Sequence, residues 1–130
     1  DSIQISLYTT SSNKAFSGNN ISNYNLSNLK FHYPSIKKPL DFKLYSNFIK
    51  NFSSIYNFIP NKYVIRGYDL MLDLLFRLSS DEINFNGSNF TETEHIENKF
   101  KYLQNKDSLG YRNISTFIIK YENLELKVVD

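Results

Sequence analysis

The chain has 130 residues, of which 41% are hydrophobic and 16% aromatic, and its 15 basic and 13 acidic side chains leave a net charge of +2. That is enough apolar material for one compact core. The basic excess is spread thinly rather than gathered in a Lys/Arg block, so neither nucleic acid nor an anionic membrane is called for as a partner. With no cysteine in the chain, disulfides, thiolate metal sites and cysteine nucleophiles are excluded.

Asp1 to Ser6 lack the basic start and apolar stretch of a signal peptide, so an export leader is not expected within this chain. No apolar run approaches the roughly 18 residues that a membrane-spanning helix needs, so no transmembrane segment is expected.

In chain order, Ile3, Ile5 and Leu7 alternate with Gln4, Ser6 and Tyr8, which predicts a strand ending in the polar cluster Thr9 to Asn13. Residues 11–28 are rich in turn formers. Leu29, Phe31 and Tyr33 alternate with Lys30 and His32, predicting a second strand that stops at Pro34.

Asp41 is placed to cap a helix, because its carboxylate can accept the free N–H groups of the following turn. Phe42, Tyr45, Phe48, Ile49, Phe52, Ile55 and Tyr56 recur at three- and four-residue steps, predicting an amphipathic helix that closes at Pro60. Lys62 to Arg66 reads as a short extended link and Gly67 as a turn. Asp69 then heads a helix through Leu78 that is apolar on almost every face and must pack on more than one side.

The remainder reads as strands over residues 83–85, 100–103, 115–121 and 124–129, with turns at 109–113 and at Glu122-Asn123, since Gly and Asn tolerate positive φ. The expected fold class is therefore α/β, with two main helices and a C-terminal β-hairpin or meander. Without repeats or linkers, residues 1–130 read as a single domain.

Few residues suggest chemistry. His32 and His95 are far apart in sequence, and each reads as an exposed or satisfied polar side chain. His95 lies in the acidic run Glu92 to Glu97, which is read as a solvated loop rather than a metal site. Phosphate-binding glycine loops and the common hydrolase and zinc-protease motifs are missing, so no catalytic residue, metal or cofactor is expected. Core packing, rather than stacking on single-stranded nucleic acid, accounts for the aromatic residues.

Five stretches taken together resemble the C-terminal part of type I periplasmic-binding-like domains. They are Ile5-Ser6-Leu7-Tyr8-Thr9-Thr10, Tyr33-Pro34-Ser35, the helix closing at Pro60, Tyr63-Val64-Ile65-Arg66-Gly67-Tyr68-Asp69, and Gly110-Tyr111-Arg112-Asn113 leading into Phe117 to Tyr121. The version found in LysM-associated Bacteroidetes envelope proteins, similar to amino-acid transporter substrate-binding proteins, is the nearest in pattern.

The resemblance implies a partial lobe of a larger two-lobed domain, a location in the periplasm or cell envelope, and non-catalytic binding of a small polar solute such as an amino acid or a peptidoglycan-derived ligand. Loops at strand C-terminal ends line the cleft in such folds. That nominates Tyr8, Thr9, Thr10 and Ser11, with Arg66, Tyr68 and Asp69, as ligand-binding residues. Hydroxyls would hold a carboxylate and Asp69 an ammonium. Helix capping by Asp69 and a turn at Thr9-Thr10 are the structural alternatives. A second functional reading stays open: a structural or protein-interaction component of an envelope assembly, with envelope proteins or the remainder of the parent domain as partners and no small-molecule ligand.

Overall fold

The computed structural model describes residues 3, 5–11, 13, 16, 21–79, 91–104 and 110–129. It contains both helices and antiparallel sheets. Two compact units emerge: residues 1–39 with 116–130, and residues 40–115. The strand expected at residues 83–85 lies outside the described residues.

The first unit begins with α1 (Asn23–Asn28), where the sequence suggested only turns. Ser22 caps it, its hydroxyl accepting the Tyr24 N–H at 3.2 Å. At the other end Lys30 turns left-handed, with φ of 45°. There the Lys30 N–H reaches the Ser27 carbonyl and the Phe31 N–H the Leu26 carbonyl, both at 3.0 Å. This is the two-bond stop that satisfies the last helical carbonyls, and the side chains of Leu26 and Phe31 join in the core behind it.

The chain then enters β1 (His32–Ser35), which runs through Pro34 instead of stopping there. A proline is tolerated because β1 is an edge strand of the sheet β1-β6-β7. Central β6 (Phe117–Glu122) pairs antiparallel with β1 and with β7 (Glu125–Val129). Period-two alternation buries Phe117, Ile119 and Tyr121 on one face of β6. The expected first strand is reduced, among the described residues, to a parallel bridge between Tyr8 and His32, flanked by hydrogen bonds from the His32 N–H to the Leu7 carbonyl and from the Thr9 N–H to the His32 carbonyl.

The β6–β7 connection is a two-residue turn at Asn123 and Leu124, both left-handed with φ of 52° and 66°. The sequence pointed to Glu122-Asn123, one residue early. Leu124 is fixed by its N–H, which donates to the Ser27 hydroxyl of α1 at 3.0 Å.

In the second unit Asp41, expected to cap the helix, instead holds the turn ahead of it, accepting the N–H groups of Lys43 at 2.9 Å and Leu44 at 3.0 Å, while the N-cap of the helix is Tyr45, with no side-chain cap bond. These bonds hold its carboxyl below the usual carboxylate range. A turn over 42–45 intervenes, and α2 itself spans Ser46–Tyr56. Its aromatic ladder places the Phe48 ring 4.6 Å from Tyr68 and the Phe52 ring 4.5 Å from Tyr56.

The largest departure is α3. It spans Lys62–Ser79, so the expected extended link and Gly67 turn are both helical. Asn61 starts it, its side-chain oxygen accepting the N–H groups of Tyr63 and Val64 at 2.9 and 3.1 Å. Asp69 is therefore a mid-helix residue and not a cap. The β-branched pair Val64-Ile65 misled the sequence reading, because such residues favour strands only in the absence of a cap upstream.

Short strand pairs complete this unit. β2 (Thr93–Glu94) pairs with β3 (Lys99–Phe100), and β4 (Tyr102–Gln104) with β5 (Tyr111–Asn113). Tyr111 to Asn113, expected in a turn, form a strand. The Asn113 side chain links the two pairs: it accepts the Lys101 N–H at 2.9 Å and donates to the Lys99 carbonyl at 2.9 Å. No described helix is long and apolar enough to cross a membrane.

Candidate functional site

The inner face of α3 is polar. Ile65, Asp69, Asp73 and Arg77 stand at four-residue steps, which aligns them on one side of a helix, and all four are buried. Both carboxylates are 0% exposed. A buried charge is tolerable only when paired and hydrogen-bonded, and the β2–β3 region supplies those partners.

Asp69 holds the loop between β2 and β3. Its Oδ1 accepts the Ile96 N–H at 3.1 Å, and its Oδ2 accepts the N–H groups of Glu97 at 2.9 Å and Asn98 at 3.0 Å and the Asn98 side-chain amide at 2.8 Å. This corrects the reading of residues 92–97 as a solvated loop. Ile96, Glu97 and Asn98 are buried, because three consecutive loop N–H groups converge on one carboxylate.

Asp73 lies one turn further along. Arg77 donates to it through Nε at 2.8 Å and Nη2 at 3.3 Å, the Thr93 hydroxyl donates to its Oδ1 in a short hydrogen bond, and His95 Nε2 lies 3.3 Å away. Burial pushes the Asp73 carboxyl up, but the bonds from Arg77, Thr93 and His95 outweigh it, so its ionisation falls below the ordinary range. Arg77 Nη2 also reaches the carbonyls of Thr91 and Phe100. Its guanidinium lies 5.0 Å from the centre of the Tyr102 ring. The Tyr102 phenol is pushed up to about 12, first by burial and then by the charge of Asp73.

This cluster is wired as a brace. Thr93 donates directly to Asp73, which Arg77 and His95 also contact. Among the described residues, no group of three His, Cys, Asp or Glu side chains is placed to hold a metal.

The nominated ligand residues fall in different units. Tyr8, Thr9, Thr10 and Ser11 belong to the first. There Tyr8 stacks on His32 with ring centres 4.3 Å apart, and the Thr9 hydroxyl donates to the Ser11 carbonyl at 3.2 Å, forming the turn named as the structural alternative. Arg66, Tyr68 and Asp69 belong to the second, with Arg66 and Tyr68 exposed on α3 and Asp69 enclosed with four donors.

The sequence reading passed over Asp73, Arg77, Thr93, Asn98 and Tyr102. One signal was present: acids and a base repeating every four residues inside an otherwise apolar helix. His32 is buried, and among the described residues its Nδ1 has no hydrogen-bond partner, in contrast to the expectation of an exposed or satisfied side chain.

No protein-family model, curated protein or solved structure matches this chain.

Proposed function

We propose that this chain is a non-catalytic interaction component of a bacterial cell-envelope protein, and that α2 and α3 pack against further polypeptide of a two-lobed, type I periplasmic-binding-like domain. The observation that carries this reading is the inversion of α3. Asp69, Asp73 and Arg77 point inward, while Leu70, Met71, Leu72, Leu74, Leu75, Phe76 and Leu78 are 39–57% exposed. Ile55, Tyr56, Phe58, Ile59 and Tyr63 extend the apolar surface. Covering the half-exposed side chains of α3 alone would contribute about 5–10 kcal/mol, comparable to the stability of a whole domain. Apolar patches of this extent mark interaction surfaces.

Charge narrows the partner. Between residues 42 and 79, Lys43, Lys50, Lys62 and Arg66 are exposed while the acids Asp69 and Asp73 are buried. A complementary surface is apolar at its centre and acidic at its rim. The envelope location rests on the motif resemblance around Tyr63 to Asp69.

The chain's lack of cysteine makes a direct test simple. Leu75→Cys introduces a single thiol on the apolar face, with Glu125→Cys on β7 as the exposed control. Maleimide should label both in the purified chain, and in cells making the native protein Leu75→Cys should react about ten-fold more slowly. Equal labelling of Leu75→Cys in both settings defeats the proposal.

A second reading, binding of a small polar solute, draws on the motif resemblance that nominated Arg66 and Tyr68, both of which are exposed on α3. A thermal-shift screen against amino acids and muropeptides tests it. One ligand should raise Tm in the native chain but not in Arg66→Ala, and a flat screen eliminates it.

A further inference from the structure

β7 is the last strand of the sheet β1-β6-β7, and among the described residues nothing pairs with its outer edge. We propose that a second copy of this chain adds to that edge, antiparallel, joining two three-stranded sheets about a two-fold axis at Leu126.

The backbone decides which groups are free. Tyr121 donates its N–H to the Phe31 carbonyl at 2.9 Å, on the β1 side of β6, so the next residue, Glu122, directs its backbone groups toward β7. Glu122 lies opposite Glu125 across the two-residue turn. Alternation then points the N–H and C=O of Glu125 and Lys127 at β6, and those of Leu126 and Val128 outward. The β6–β7 register runs unbroken from Ile118 and Val129 to Glu122 and Glu125, so no bulge blunts the edge, and β7 contains no proline. Outward N–H and C=O groups of this kind are a template for another strand.

Side chains choose the partner and the register. Directly opposed residues share a face, so Glu125 and Lys127 stand with Glu122 and Lys120 on one face, and Leu126 stands with Tyr121 on the other. An axis at Leu126 sets Glu125 of each copy opposite Lys127 of the other, and Leu126 opposite its own equivalent. Glu125-Leu126-Lys127 is its own complement when reversed, which a two-fold interface requires. Moving the axis to Lys127 would oppose lysine to lysine, so charge disfavours that register. Glu125 forms no ion pair among the described residues. Lys127 is held by Glu122 at 3.0 Å, but its side chain is 44% exposed, and an ammonium has three donors to share. Leu124 and Leu126, 58% and 39% exposed, gain cover on the apolar face.

So narrow an interface should associate weakly, with a Kd of about 0.1 mM. Sedimentation equilibrium of the full chain up to about 1 mM measures it. Leu126→Pro removes an outward N–H while sparing those bonded to β6, and should weaken association about ten-fold. Lys127→Glu should weaken it by a similar factor, and Glu125→Lys/Lys127→Glu should restore it, a recovery that a mere change in stability would not produce. Leu75→Lys, on the exposed face of α3, should leave it unchanged, which separates this contact from the one proposed for α2 and α3. A native chain that stays monomeric overturns the proposal. So does association that survives Leu126→Pro, is lost in Leu75→Lys, or fails to return when the charges are exchanged.

Discussion

Asn98 donates twice to a single oxygen of Asp69, through its backbone N–H at 3.0 Å and its side-chain amide at 2.8 Å. The second unit is organised around this carboxylate, which sits at the middle of α3 and converts an acidic, exposed-looking sequence into a buried loop. Asp69→Asn keeps the shape but presents an amide nitrogen to N–H donors. It should lower stability by about 3 kcal/mol in urea unfolding, because buried donors are left unmatched. A loss below about 1 kcal/mol would show that the loop finds other acceptors.

Asp73 and Arg77 form a buried pair whose members differ in replaceability. Arg77→Met alone strands a buried carboxylate and should cost about 3–5 kcal/mol. Adding Asp73→Leu removes the stranded charge, and the double variant should recover part of that loss. Chemical denaturation of the two single variants and the double closes the cycle.

The same pair sets an acid limit. The folded-state ionisation of Asp73 is lowered, so its contribution is complete above the unfolded value near pH 4 and is lost as pH falls through the lower folded value. Unfolding midpoints followed from pH 6 downward should therefore decline in the native chain more steeply than in Asp73→Leu/Arg77→Met.

Tyr102 sets an alkaline limit by the opposite sign. Its phenol is raised to about 12 in the folded state, so its contribution is full below pH 10 and disappears as pH rises toward 12. Ultraviolet titration should lose its most alkaline component in Tyr102→Phe. That variant keeps the ring beside Arg77, so its stability near pH 7 should fall only slightly.

Leu124 occupies a turn position suited to glycine. Leu124→Gly should raise stability by roughly 1 kcal/mol in thermal unfolding, whereas Ser27→Ala should lower it by about as much by releasing the Leu124 N–H. An unchanged Tm in both would mean that the turn carries no strain.

Much of the architecture was legible because it depends on local periodicity. The alternation from Phe117 to Tyr121 and the helical stripe through Phe48 and Phe52 both act within a few residues. The helix α1 was missed because its Asn- and Ser-rich sequence has weak helical preference, and its stop depends on Leu26 and Phe31 meeting in the core.

α3 marks the boundary between the two kinds of information. Its sequence alone determined that an apolar helix through Leu78 would need cover on more than one side. Which side faces inward was decided only by tertiary structure. Free N–H groups at residues 96–98 need a carboxylate, and Thr93, His95 and the carbonyls near β2 and β3 complete the polar set around Asp73 and Arg77. Hydrogen-bond satisfaction therefore turned the charges in and left the leucines on the exposed face.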